Sequence, residues 1–162
     1  MTAIKNLHHA AYRCRDSEET RQFYEDFLGL PMVDAFVIKQ TKSGRAANVL
    51  HTFFVMQDGA CLAFFEEPDM AFDFKPQRDF DLHVALEVSR ETLLEMFDKG
   101  RSAGIETRGI SDHGFIESVY FRDPNGYVVE LAARKVAGGQ HSDHEEPGRA
   151  RAVLEAWQAD KP

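Results

Sequence analysis

The sequence predicts an α+β fold: two tandem βαβββ units followed by a C-terminal helical tail. Two internal echoes and one repeated order carry that prediction. Leu7-His8-His9-Ala10-Ala11-Tyr12-Arg13-Cys14 returns as Asp81-Leu82-His83-Val84-Ala85-Leu86-Glu87-Val88, with His9 falling on His83 and Ala11 on Ala85. Asp58-Gly59-Ala60-Cys61-Leu62-Ala63-Phe64 is likewise echoed by Asn125-Gly126-Tyr127-Val128-Val129-Glu130-Leu131. In both halves the His-bearing strand leads into an amphipathic helix and then into further strand-like runs.

The first strand spans roughly 6–14, and its alternation puts His9, Ala11 and Arg13 on one side and Ala10, Tyr12 and Cys14 on the other. Asp16 or Ser17 can cap the next helix, whose Thr20, Phe23, Tyr24, Phe27 and Leu28 form an apolar stripe ended by Gly29 and Pro31. Strands follow at about 32–40, 48–57 and 60–66, with a hairpin turn at Gln57-Asp58-Gly59. Residues 67–79 read as a linker between the units. The second unit repeats the order: a strand at 81–88, a helix at about 90–103, a strand at 105–110 and a loop at 111–114. A strand at 115–122, the turn Asp123-Pro124-Asn125-Gly126 and a strand at 127–134 complete it. The units thus occupy about 4–66 and 80–135 of a single domain over 1–136. A polar loop from 137 and a short helix starting at Pro147 make up the remainder to 162.

At 162 residues the chain is long enough for one sizeable core, and 43% hydrophobic with 28% charged residues is ordinary for a globular protein. A net charge of -8 argues against a nucleic-acid partner, which demands a basic face. No uncharged apolar run approaches the ~20 residues of a membrane span, and the N-terminus lacks a secretory core. Cys14 and Cys61 read as buried free thiols, so a cytoplasmic location is expected.

Two βαβββ units that each open on a strand His, with Asp123-Pro124-Asn125-Gly126-Tyr127 leading to Glu130-Leu131, resemble the vicinal oxygen chelate superfamily. The likeness spans about residues 4 to 135. It implies a mixed sheet curled around one metal cavity, with ligands from the first and fourth strands of each unit. Carried over by position, the resemblance implies His9, His83 and Glu130 as metal ligands, while Ala63 stands where the first unit would place a carboxylate. His8 has the wrong parity, and Glu66, an odd number of residues beyond Ala63, faces the other side of a regular strand.

Two imidazoles and one carboxylate leave open positions on an octahedral ion, the pattern of non-haem Fe(II) oxygenases. Tyr120, ten positions before Glu130, resembles the substrate-binding tyrosine of extradiol dioxygenases, and His113 in the preceding loop matches their active-site histidine. His51 shares parity with Phe53 and Val55 and is a second candidate for the acid-base group. A buried, hydrogen-bonded histidine and an exposed loop histidine are the plain alternatives for these two. Arg13 either meets an anionic substrate or forms a rim salt bridge. His141 and His144 read as part of a solvated charged segment.

The resemblance therefore implies an extradiol-type dioxygenase using Fe(II), or Mn(II), on an aromatic diol and O2, as a homodimer. A glyoxalase-type lyase or isomerase is the first alternative, and it lacks a second carboxylate at Ala63. A metal-free small-molecule-binding protein, with Phe53, Phe65 and Tyr120 lining its cavity, is the second.

Overall fold

The computed structural model describes residues 3–135 and 148–161. The first unit comprises β1 (His9–Cys14), α1 (Ser17–Arg21) running on into a π-helical stretch (Gln22–Phe27), β2 (Met32–Gln40), β3 (Ala46–Val55) and β4 (Cys61–Glu66). The second comprises β5 (His83–Glu87), α2 (Arg90–Ser102), β6 (Thr107–Asp112), β7 (Ile116–Arg122) and β8 (Val128–Arg134). A last helix, α3 (Arg149–Ala159), follows; the predicted polar loop, His141, His144 and Pro147 lie outside the described residues.

Each unit forms its own four-stranded mixed sheet, ordered β1-β4-β3-β2 and β5-β8-β7-β6. The first and last strands of a unit run parallel, since the helix carries the chain back across the sheet. The register repeats between units: Ala11 lies beside Ala63 as Ala85 lies beside Glu130. Phe53 neighbours Ala63 as Tyr120 neighbours Glu130. Glu130 and Ala63 are therefore equivalent positions.

Two stretches differ from the sequence prediction. The first helix widens at Gln22, where the Leu28 amide bonds to the Phe23 carbonyl, five residues back. This wider turn lets the adjacent Phe23 and Tyr24 both point inward with Phe27, and all three are buried. The predicted loop at 111–114 is shorter, because Ser111 and Asp112 extend β6 by pairing with Ser118 and Glu117. Asp16 caps α1 by accepting from the Glu18 and Glu19 amides at 2.8 and 2.9 Å. Cys14 is buried as expected, whereas Cys61 is only half-buried.

The core is shared between the units. Phe23, Tyr24 and Phe27 from the first helix and Leu93 and Met96 from α2 join Phe54, Leu62 and Phe64 of one sheet. Val119, Phe121, Val129 and Leu131 of the other complete the same cluster. The strand faces carrying His9 and His83 point away from it.

A buried polar knot fastens the two units. Asp123 Oδ1 accepts the Asn125 and Tyr127 amides at 2.9 and 2.8 Å, while Oδ2 accepts Asn125 Nδ2 and the Tyr24 hydroxyl at 3.0 and 3.1 Å. Asn125 Oδ1 in turn accepts the Arg15 amide at 2.8 Å. Gly126 takes φ +93° in this turn, and a Cβ there would come 2.5 Å from the Lys75 carbonyl oxygen of the linker. Both Asp123 oxygens face donors, so in Asp123→Asn the amide nitrogen opposes an N–H or O–H whichever way it is turned. The expected loss is about 2 to 4 kcal/mol, read from the denaturant midpoint; a loss under about 0.5 kcal/mol would show that the knot is dispensable.

Tyr127 gives a pH signature to the same junction. Its hydroxyl donates to the Arg13 carbonyl at 2.8 Å, and burial, with the nearby Asp123 charge second, pushes its pKa up from 10.0 to about 12. The folded value is raised, so its stabilisation is complete below pH 10 and lost as pH climbs toward about 12. The expected loss is on the order of 2 kcal/mol. Urea melts across that window should fall for the native chain and stay flatter for Tyr127→Phe.

Candidate metal half-site

β5 and β8 bring His83 and Glu130 together, with His83 Nε2 and Glu130 Oε2 3.2 Å apart. The other ring nitrogen, Nδ1, lies 2.7 Å from the Asp79 carbonyl oxygen. A carbonyl only accepts, so Nδ1 carries a proton, and Nε2 is the ring atom turned toward the carboxylate. Two acceptors that close need a proton or a cation between them. Ligands at about 2.1 Å on adjacent octahedral positions stand about 3 Å apart, so the spacing fits one edge of a metal ion.

Glu130 is 6% exposed and held from below. Ser118 Oγ donates to its Oε1 at 2.5 Å, and the Tyr120 hydroxyl reaches the same oxygen at 3.4 Å. His113 Nε2 lies 3.0 Å from the Tyr120 hydroxyl, which joins two predicted residues. Burial, with the Glu130 charge second, raises the Tyr120 pKa above its ordinary value, so the hydroxyl is a neutral donor. The Arg108 guanidinium lies 5.3 Å from the Tyr120 ring centre and binds Asp79 through a two-pronged ion pair at 2.7 and 2.8 Å. This pairing, more than any other contact, holds the Asp79 carboxyl below its usual range.

The remaining predicted residues stand on the other sheet. His9 Nδ1 lies 2.7 Å from His8 Nδ1, and its ring meets Phe53 edge-on. Among the described residues no three His, Cys, Asp or Glu side chains converge to hold an ion. His51 is 5% exposed, bonded through Nδ1 to the Phe64 carbonyl at 2.9 Å and stacked on Phe65 with ring centres 3.7 Å apart. It shares the open face with His9, Phe53 and Phe36. Arg13 forms a salt bridge to Glu67 at 3.1 Å and bonds to the Glu67 and Met70 carbonyls. Glu66 faces the helix side, accepting the Ser17 amide at 2.8 Å.

Sequence reasoning missed Ser118 and Asp79. Parity places Ser118 on the Glu130 face, two residues before Tyr120, so that one was findable. Asp79 acts through its backbone oxygen, which leaves no trace in residue type.

Paired βαβββ units, with an imidazole and a carboxylate facing each other from the first and fourth strands of one unit, define the class of fold. The chain belongs to the Glyoxalase/Bleomycin resistance protein/Dioxygenase superfamily, whose model matches residues 6–131. No curated protein matches the sequence. Solved structures share the fold. A glyoxalase/dioxygenase from Nostoc punctiforme is 22% identical, with 83% of this chain and 94% of that one covered and a TM-score of 0.65. The fosfomycin resistance protein FosX from Listeria monocytogenes is 19% identical, covering 82% and 96%, with a TM-score of 0.63. A glutamate-to-glutamine mutant of FosX, complexed with Mn(II) and 1S,2S-dihydroxypropylphosphonic acid, is 20% identical, covering 82% and 95%, with a TM-score of 0.60. Among the described residues no helix is long and apolar enough to cross a membrane.

Proposed function

We propose that this protein is a metal-dependent enzyme of the extradiol dioxygenase type. His83 and Glu130 of one chain and His9 of a second copy would hold Fe(II), or Mn(II). The observation that carries this is His83 Nε2 turned toward Glu130 at 3.2 Å, two members of a three-ligand set whose third does not converge on them within one chain among the described residues. The open face bearing His9 supports completion by a homodimer. β2 at its edge exposes Met32, Val33, Phe36 and Val37, apolar area that a second copy would cover. A copy that brings His9 also brings His51, Phe53 and Phe65, an aromatic wall for a ring-shaped substrate.

When bound, the ion supplies Lewis acidity and, as Fe(II), an electron path between a chelated aromatic diol and O2. The chain's own residues do the rest. Tyr120 orients a substrate oxygen with its neutral hydroxyl, and His113 Nε2, 3.0 Å from that hydroxyl, exchanges a proton with it. His51 is the alternative acid-base group, reaching the substrate from the second copy.

A second reading, a metal-dependent hydrolase or lyase, draws support from the likeness to the Listeria structures. It calls for a second carboxylate at the position of Ala63, which offers none, and Glu66 is already engaged by Ser17. Anaerobic reconstitution with Fe(II), then addition of simple catechols under oxygen, separates the two. Oxygen uptake with yellow ring-fission absorbance is the expected result. Iron binding without uptake, combined with consumption of fosfomycin by the Mn(II)-loaded protein, would overturn the dioxygenase in favour of the hydrolase.

A further inference from the structure

We propose that the Asp79–Arg108 ion pair is the positioning device of the half-site, setting the orientations of His83 and Tyr120 together. The proposal rests on reading His83 and Glu130 as ligands. Asp79 belongs to no strand or helix; it sits in the segment joining the units, four residues before His83. Its backbone oxygen receives the His83 Nδ1 proton at 2.7 Å. That contact selects the tautomer whose Nε2 faces Glu130. A loop carbonyl serves this purpose only if the loop is held.

Arg108 holds it. The guanidinium grips both Asp79 carboxylate oxygens from β6, at 2.7 and 2.8 Å, a fork geometry that Lys cannot reproduce. Arg108 pairs in register with Tyr120, and Tyr120 with Glu130. The same guanidinium therefore lies over the Tyr120 ring, 5.3 Å from its centre, while the Tyr120 hydroxyl reaches Glu130. Contacts close a ring from Arg108 through Asp79, His83, Glu130 and Tyr120 back to Arg108. As a source of fold stability the pair is weak, with side chains 44% and 33% exposed. Its effect belongs in ligand geometry, where partners behind metal-binding histidines change affinity by about 10- to 100-fold.

The test uses the full chain with Asp79→Asn, Arg108→Gln and Arg108→Lys. Histidine ring 15N shifts of the metal-free protein report the His83 tautomer, calorimetry gives the Mn(II) Kd, and thermal melting reports the fold. In the native chain His83 should carry its proton on Nδ1. Asp79→Asn and Arg108→Gln should mix the tautomers and raise the Kd about 10- to 100-fold, with the melting midpoint moved by no more than about 2 °C. Arg108→Lys, which keeps the charge without the fork, should recover only part of the loss. Unchanged His83 shifts and an unchanged Kd in the first two variants would overturn the proposal. If the native chain binds no Mn(II), the metal reading falls by itself, and the tautomer shifts alone decide whether the ion pair positions His83.

Discussion

Co-expressing a His9→Ala chain with a Glu130→Ala chain is expected to restore about a quarter of native metal occupancy and activity, although each variant alone has almost none. The expectation follows from the placement of the ligands. His9 lies on the open face of one sheet against His8 and Phe53, and His83 with Glu130 on the open face of the other. In a two-fold dimer each complete site takes His9 from one copy and the pair from its partner. A mixed dimer then has one site with both substitutions and one with neither. Random pairing makes half the dimers mixed, hence about one intact site in four. Metal content and oxygen uptake of the mixture, with differently tagged chains to verify mixing, read the outcome. Absence of recovery in verified mixed dimers would sink the shared site. Native metal content in the His9→Ala protein alone would remove His9 as a ligand.

Glu130→Gln should weaken Mn(II) or Fe(II) binding by at least about 100-fold, since a neutral amide replaces the anionic oxygen ligand of a hard divalent ion. Shape is nearly conserved, so the fold should survive, and the cause can be isolated. Ser118 Oγ donates to Oε1 at 2.5 Å, and that hydrogen bond still has an oxygen acceptor when the Gln carbonyl takes its place. The Gln nitrogen then faces His83 Nε2, which accepts its hydrogen, so the apo site is satisfied without a cation. Apo stability equal to or above the native chain, with metal affinity lost, is the combined result expected from thermal melts and calorimetry. Retained affinity within about threefold would mean that Glu130 is not a ligand but a buried hydrogen-bonding partner of Ser118 and Tyr120.

Most of the architecture was written in local patterns. Strand alternation is a property of consecutive residues, so the faces of β1 and β5, the exclusion of His8 and Glu66, and the equivalence of Ala63 with Glu130 were legible in the residues alone. The Asp58-Gly59 and Asn125-Gly126 turns marked the hairpins for the same reason, because backbone conformation there depends on the residues themselves. The widened turn at Gln22 was not legible, since it depends on Phe23 and Tyr24 both being drawn into a core shared with Phe121 and Phe54. Neither was the end of β6, which pairing with β7 decides.

The candidate site divides along the same line. The family resemblance, carried over by position, implied His83, Glu130, Tyr120 and His113, and all four lie on one unit whose register the alternation sets. Where His9 and His51 stand relative to them was decided by the packing of one unit against the other, through α1, the Asp123–Asn125 knot and the linker. Those contacts join residues about a hundred positions apart, such as Tyr24 to Asp123, and no local pattern specifies them. Asp79 belongs to the same category. Its role depends on a backbone oxygen and on an arginine from a distant strand, so only the tertiary structure could place it behind His83.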